Sequence, residues 1–323
     1  MRVLIWHVHG SWATAFVQGP HTYVLPVTPD RGPDGLGRAR TWEWPANAVE
    51  VPPERLRDEE IDVVVLQRSH EERLVEEWLG RRPGVDVPAV YVEHDAPWGN
   101  VPLTRHPMAD RPEILLVHVT HFNRLMWDNG RTPTAVVEHG VVDPGLRWTG
   151  ELERTAVVVN EPLRRGRYVG TDLLPYFADG MGLDVFGMKV RDLPSRLGLP
   201  GVHAYEDLPQ ERMHEELARR RVYLHPIRWT SLGLSLLEAM HLGMPVVALA
   251  TTEVVEAVPR EAGIISTRPD RLREGLRRLL ADREEAARLG KAARAAALER
   301  YGLPRFLADW EEILAEVTRC PPS

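Results

Sequence analysis

Four residues in one short run could do chemistry together. Within residues 225–248, Gly233 precedes Leu234 and Ser235, and Glu238 follows about one helical turn further in. The run reads as strand, loop, helix, glycine stop, strand: Gly233 sits where loop meets helix, Gly243 closes the helix, and Pro245 opens the next strand. At such a helix start the N–H groups of Leu234 and Ser235 point outward with the positive end of the helix dipole, which suits a diphosphate. A carboxylate at Glu238 cannot face that phosphate, but it can accept two hydrogen bonds from vicinal ribose hydroxyls. A βαβ unit with Glu238 merely on its surface is the plainer reading of the same run.

Other clusters are less pointed. His7 and His9 share one side of an opening strand if its period of two holds. They lack a third ligand nearby, so a polar cleft wall is expected rather than zinc. Arg68-Ser69-His70 follows another strand end and is a candidate contact for an acceptor. His118 reads as part of a buried strand and His121 as a helix start. The ten tryptophans, among them Trp6, Trp12, Trp42, Trp44 and Trp98, fall mostly in the first half. They could stack on a sugar or an apolar acceptor, or simply pack a core.

The elements that must position these residues alternate. Short apolar runs at 3–8, 63–67, 89–93, 114–120 and 135–139 recur in the first half, and at 155–160, 183–187, 222–226, 246–250 and 263–266 in the second. Runs of this kind, spaced for helices between them, predict two doubly wound parallel sheets. The joint is expected in the polar stretch 143–154. Residues 28–48, rich in Pro, Gly, Trp and Arg, read as a long loop. Helices are expected at 270–281, at 283–300 with Asp282 as N-cap and Gly302 as stop, and at 304–318, where Phe306, Trp310, Ile313, Leu314 and Val317 keep helical spacing.

Composition narrows the partners. The chain has 323 residues, with 40 basic against 47 acidic side chains, a net charge of −7. That balance argues against non-specific nucleic-acid binding, and the basic residues within 271–300 are interleaved with acids, as on a solvated helix face. The single cysteine, Cys320, excludes an intramolecular disulfide and fits a reducing compartment. Met1 to Val8 lacks the longer apolar run of a signal peptide, and the least polar window, 231–250, carries Glu238 and His241 and breaks at Gly243, so no transmembrane segment and a cytoplasmic location are expected. Neither opening strand is followed by Gly-x-Gly-x-x-Gly, which discounts a nicotinamide-binding protein.

The pattern Leu234-x-Leu-Leu-Glu238-Ala-Met-x-x-Gly243-x-Pro245-Val-Val resembles the donor-site signature of retaining glycosyltransferases of the GT-B fold, family GT4. His139-Gly140-Val141-Val142-Asp143 is similar to that family's Asn-Gly-Val-Asp, and residues 301–310 to its C-terminal crossover helix. The resemblance implies two Rossmann-like domains facing across a cleft: an acceptor domain at 1–149, a donor domain at 150–303, and a crossover helix at 304–323. It implies sugar transfer from a nucleotide diphosphate sugar to a hydroxyl acceptor with retention, no cofactor, and no obligatory metal. Glu238 would hold ribose. The amides of Gly233, Leu234 and Ser235, with Arg165 or its neighbours Arg164 and Arg167, would hold the diphosphate. His94 resembles the family histidine that approaches the reaction centre, and Asp95 would orient it or bind acceptor; a histidine there hydrogen-bonds sugar hydroxyls and titrates near neutrality.

The departures are specific. Thr230, placed with His94 and Asp95 at the reaction centre, stands where the family usually has a glutamate near the sugar ring. Thr251-Thr252 replaces a Gly-Gly, Glu161 stands about where a second phosphate-binding arginine is common, and the first-domain Gly-rich loop is reduced to His9-Gly10-Ser11. His9, Gly10, Arg68 and His70 are the expected acceptor or sugar contacts. A non-catalytic nucleotide-sugar binding protein, or an epimerase or phosphorylase on the same fold, remain the alternatives.

Overall fold

Parallel strands need crossover helices and cover on both faces, and the apolar runs provide strands of that type. The computed structural model describes residues 1–319. Strands β1 (Arg2–Ile5), β2 (Thr22–Pro26), β3 (Ala48–Val51), β4 (Val63–Leu66), β5 (Ala89–Glu93), β6 (Leu115–His118) and β7 (Thr134–Val136) form one sheet in the order β3-β2-β1-β4-β5-β6-β7. Strands β8 (Leu152–Val158), β9 (Leu183–Gly187), β10 (Val202–Glu206), β11 (Arg220–His225), β12 (Val246–Leu249) and β13 (Gly263–Ser266) form a second, in the order β10-β9-β8-β11-β12-β13. The ladders are parallel; Leu4 pairs with Val64, and Tyr223 with Val246.

In both sheets the strand order reverses next to the first strand, between β1 and β4 and between β8 and β11. Ligands of doubly wound sheets bind outside the carboxyl ends at that reversal. The loops concerned are residues 6–9 and 67–70 in one sheet, and 159–161 and 226–233 in the other. The fold therefore delivers most of the suspected side chains to the two places where the topology opens a crevice.

The chain divides into two units, Met1–Val142 with the chain from Leu303 on, and Asp143–Gly302. The first unit packs Leu4, Val24, Val64, Leu66 and Leu116 beneath its sheet. The helix Leu303–Arg319 belongs to this unit: Trp310 meets Trp12 edge-on at 5.7 Å and Phe16 at 5.0 Å. Gly140 lies against it, since a Cβ there would fall 2.3 Å from that of Phe306. The second unit packs Val157, Val185, Leu224, Val247 and Leu276. The helix Arg283–Tyr301 is capped by Asp282, whose side chain accepts from the Glu285 N–H at 2.9 Å, with Gly302 at its end. Cys320 lies outside the described residues.

Several expectations change. Strands β2, β3 and β10 were not read from the sequence; β3 and β10 are sheet edges where polar residues alternate with apolar ones. β8 begins at Leu152, inside the stretch expected to be a joint. β1 ends at Ile5, so His7 and His9 follow the strand rather than sharing its face. His7 Nδ1 donates to Gly37 O (3.1 Å) and the ring packs on Trp44, whereas His9 packs on His94. Among the tryptophans, Trp6, Trp12 and Trp44 are core residues, while Trp98 is exposed.

Buried imidazoles make the fold acid-sensitive. Burial pushes His118 and His139 down to about 3 and His225 to about 4. Below the ordinary histidine value of about 6.5 the unfolded chain takes up protons that the folded chain refuses, so stability falls as pH falls. Each such group removes up to ~1.4 kcal/mol per pH unit between 6.5 and its folded value. Urea titrations between pH 7 and pH 4.5 should show a steep, progressive loss of unfolding free energy; a flat profile would contradict neutral burial of these rings.

Candidate active site

The period of two along β11 puts Tyr223 and His225 on one face, both fully buried. The loop 226–233 then returns over the imidazole to Gly233, the extended residue (φ −72°, ψ 118°) before the helix Leu234–His241. A Cβ on Gly233 would sit 2.5 Å from His225 Cε1, so only glycine lets the backbone lie this close to the ring. The Tyr223 hydroxyl donates to Ser235 Oγ at 3.0 Å, and the Leu236 N–H donates to Gly233 O at 3.0 Å. These contacts fix the first turn, whose leading N–H groups have no acceptor within the helix. The helix ends in a Schellman arrangement: the Gly243 N–H donates to Met240 O and the Met244 N–H to Ala239 O, each at 3.0 Å, with Gly243 at φ 84°.

Because the turn rests on His225, Gly233→Ala should displace it. A misplacement of about 1 Å can cost a site ~100-fold. We expect nucleoside diphosphate affinity to fall between about 10- and 100-fold, read by calorimetry; unchanged affinity would remove the turn from the binding site.

Glu238 is buried in this helix, and its Oε2 meets the Gln210 amide nitrogen at 3.0 Å and His214 Nε2 at 3.6 Å. Gln210 and His214 come from the helix Gln210–Arg219. Neither was singled out from the sequence; their i, i+4 spacing on one helix was the available signal.

The basic cluster after β8 is sorted by its partners. Glu161 pairs with both Lys189 and Arg164, which together hold its carboxyl down to about 2. Arg167 pairs with Asp172 (2.8 Å), and so does Arg228. Arg165, half-buried at the end of the short helix Pro162–Arg165, has no carboxylate partner among the described residues. The geometry thus separates Arg165 from its neighbours. Glu161 (φ 51°), Lys189 (φ 55°), Asp207 (φ 49°) and Thr252 (φ 52°) are all left-handed non-glycine residues, one to three positions beyond β8, β9, β10 and β12. Such backbone costs of order 1–3 kcal/mol apiece and gathers at ligand clamps. Thr230 is half-buried in the loop 226–233, on the same carboxyl edge of the sheet.

In the first unit, β5 ends at Glu93, buried, with His94 and Asp95 following. Glu93 Oε1 accepts from the Asp95 N–H at 2.6 Å, and its Oε2 lies 2.8 Å from His106 Nε2. The Met108 N–H donates to His106 Nδ1 (3.0 Å), so the ring proton sits on Nε2 and points at Glu93. The Trp127 indole donates to Asp95 O at 2.9 Å. The turn bearing His94 and Asp95 is therefore fixed from both sides, and Glu93 and His106 are residues that sequence reading missed.

His94 is buried with its ring 4.0 Å from that of His9 and edge-on to Trp12 at 4.9 Å. Burial, reinforced by His9 and His139, holds it well below the ordinary histidine range. The expectation that it titrates near neutrality is corrected: His94 is a neutral imidazole. Arg68 and His70 are held by Asp34 at 3.1 and 2.8 Å, and Arg68 also by Glu71 at 2.7 Å. Gly10 opens the helix Gly10–Phe16 beside Trp42. Among the described residues no group of three or more His, Cys, Asp or Glu could hold a metal ion, and no helix is long and apolar enough to cross a membrane.

This architecture is the GT-B glycosyltransferase fold. It is similar to sucrose-phosphate synthase from Thermosynechococcus elongatus (TM-score 0.70, 13% identity, 99% of each chain). It is also similar to Anabaena HepE in complex with UDP (TM-score 0.71, 15% identity, 98% of this chain and 100% of that one) and to a glycosyltransferase from Rickettsia africae (0.67, 13%, 98% of each). Within that fold, residues 189–296 match the family Glycosyl transferases group 1. The match contains the loop 226–233, Glu238 and Gly243, the residues on which the resemblance was first read. No curated protein sequence matches the chain significantly.

Proposed function

We propose that the protein is a retaining glycosyltransferase that moves a sugar from a nucleotide diphosphate sugar to a hydroxyl acceptor. The observation that carries this reading is the fixed turn at Gly233 with a buried carboxylate, Glu238, one helical turn behind it. The Leu234 and Ser235 amides receive the diphosphate, Arg165 neutralises it, and Glu238 accepts the ribose hydroxyls. UDP, the ligand of Anabaena HepE on this fold, is the first donor nucleotide to test. Charge builds on the departing diphosphate as the bond to the anomeric carbon breaks, so donors fixed in advance there lower the barrier. The acceptor oxygen bonds to the same face, and its proton passes to the departing phosphate oxygen. No separate general base is required, which agrees with a buried His94 whose depressed basicity makes it a poor proton acceptor.

His94, with Asp95, His9, Gly10, Arg68 and His70, forms the acceptor and sugar side in this proposal. His94→Ala should lower turnover about 10- to 100-fold, the worth of one or two hydrogen bonds to a sugar, and leave nucleotide affinity nearly unchanged. A fully active variant would remove His94 from the site. Incubation with UDP-, GDP-, ADP- and dTDP-sugars tests the whole reading, because a transferase hydrolyses its donor slowly and releases nucleoside diphosphate. Thr230, in place of a glutamate, favours a second reading, a nucleotide-sugar binding protein without transfer. Tight binding with no release under any acceptor would select it.

A further inference from the structure

We propose that Gln210 is a positioning residue of the donor site, holding the Glu238 carboxylate in the plane that receives the two ribose hydroxyls, with His214 locking Gln210 in turn. The inference rests on the donor reading above and extends it to a second helix. Gln210 Nε2 lies 3.0 Å from Glu238 Oε2 and 2.8 Å from His214 Nε2. An amide nitrogen carries two hydrogens and no lone pair to share, so it donates to both. The carboxylate can only accept, which fixes which way round the amide sits. The His214 nitrogen must then be unprotonated, with its ring proton on Nδ1. His214 and Glu238 are both buried and Gln210 is half-buried, so the two ends of this three-member chain are shielded from competing water.

The consequence is geometric. A free glutamate carboxylate rotates readily about its last bond, because that torsion is broad. Accepting two vicinal hydroxyls at once requires one orientation of its plane. The N–H of Gln210 selects an orientation before the ligand arrives, and preorganisation of this kind raises affinity by removing an ordering cost. Gln210 itself is held at the start of its helix, three residues beyond the left-handed Asp207 that follows β10.

The test is calorimetry with UDP, GDP, ADP and dTDP and with the 2′,3′-dideoxy form of the one that binds tightest, on wild type, Gln210→Leu, Gln210→Glu and Glu238→Ala. Wild type should prefer the hydroxylated form. Gln210→Leu should lose about tenfold in affinity for the hydroxylated form and less than twofold for the dideoxy form, so that discrimination falls about five- to tenfold below that of wild type. Gln210→Glu, which sets carboxylate against carboxylate, should do the same, and serves if the leucine variant does not fold. A purely structural role would weaken both ligands equally. Discrimination equal to wild type in the Gln210 variants, with discrimination lost in Glu238→Ala, overturns this inference and leaves the donor reading intact. If Glu238→Ala itself discriminates as wild type does, or wild type binds none of the four, the donor reading falls and the inference with it.

Discussion

Glu238→Ala is expected to weaken binding of the donor nucleotide by about 100-fold or more. A hydrogen bond to a charged group is worth about 1.5–3 kcal/mol, and this carboxylate is assigned two of them. Two such bonds amount to at least ~3 kcal/mol, or roughly two orders of magnitude in affinity. The loss should be larger than for an exposed carboxylate, because Glu238 is buried and water cannot replace it. Truncation also strands one of the two N–H hydrogens of the Gln210 amide, whose acceptor at 3.0 Å disappears. The measurement is calorimetry with the best nucleoside diphosphate. Affinity within threefold of wild type would count against any role for Glu238 in holding ribose.

The largest expected loss of stability comes from a different buried carboxylate. Asp184 is wholly buried on β9 and accepts from Arg220 Nε and Arg154 Nε, each at 2.7 Å, with His203 Nδ1 at 3.4 Å. Arg220 is nearly as buried; it also donates to Glu216 O at 2.7 Å and lies over the rings of Phe186 (5.2 Å) and Tyr205 (4.8 Å). Buried charges of this kind tolerate one another only as a complete set. Removing one partner leaves an uncompensated charge and typically costs about 3–5 kcal/mol. Asp184→Ala should therefore lower the protection of amides in β8, β9 and β11 by about that amount in native-state hydrogen exchange. A change below ~1 kcal/mol would show that the pairing contributes little. The network ties β9 to β8, β10, β11 and the helix Gln210–Arg219, so it secures the frame on which Gln210 is mounted.

Much of this frame is legible in the sequence, and the parts that are not share a cause. β5, β9 and β13 match their apolar runs residue for residue, because each has a single polar residue, Glu93, Asp184 and Ser266, in an otherwise apolar or small-residue stretch. The runs at 3–8 and 114–120 overshoot β1 and β6 because Val8, Val119 and their neighbours leave the ladder but stay sheltered in the loops at the carboxyl edge. The pairing of His7 with His9 fails for that reason, since a period of two holds only while the strand lasts. β3 and β10, at the edges, carry Glu50, His203 and Glu206 and lose the apolar signature.

The candidate site divides in the same way. Gly233, Leu234, Ser235 and Glu238 are readable because one turn and one helix supply them all. Choosing Arg165 over Arg164 required knowing that Glu161 already engages Arg164, a contact set by the left-handed backbone at Glu161. Gln210 and His214 reach Glu238 from another helix, and Glu93 meets His106 across a loop, so beyond the i, i+4 spacing of Gln210 and His214 no local pattern announces either contact. The neutrality of His94 depends on burial among His9, Trp12 and His139, which its own neighbours in sequence do not reveal.

A crystal structure of the protein with its nucleotide sugar, or with the nucleoside diphosphate that binds tightest, tests the central claim most directly. The account predicts pyrophosphate oxygens within hydrogen-bond distance of the Leu234 and Ser235 amides and ribose hydroxyls on the Glu238 carboxylate. A well-occupied ligand elsewhere on the molecule, with that turn and carboxylate untouched, would contradict it.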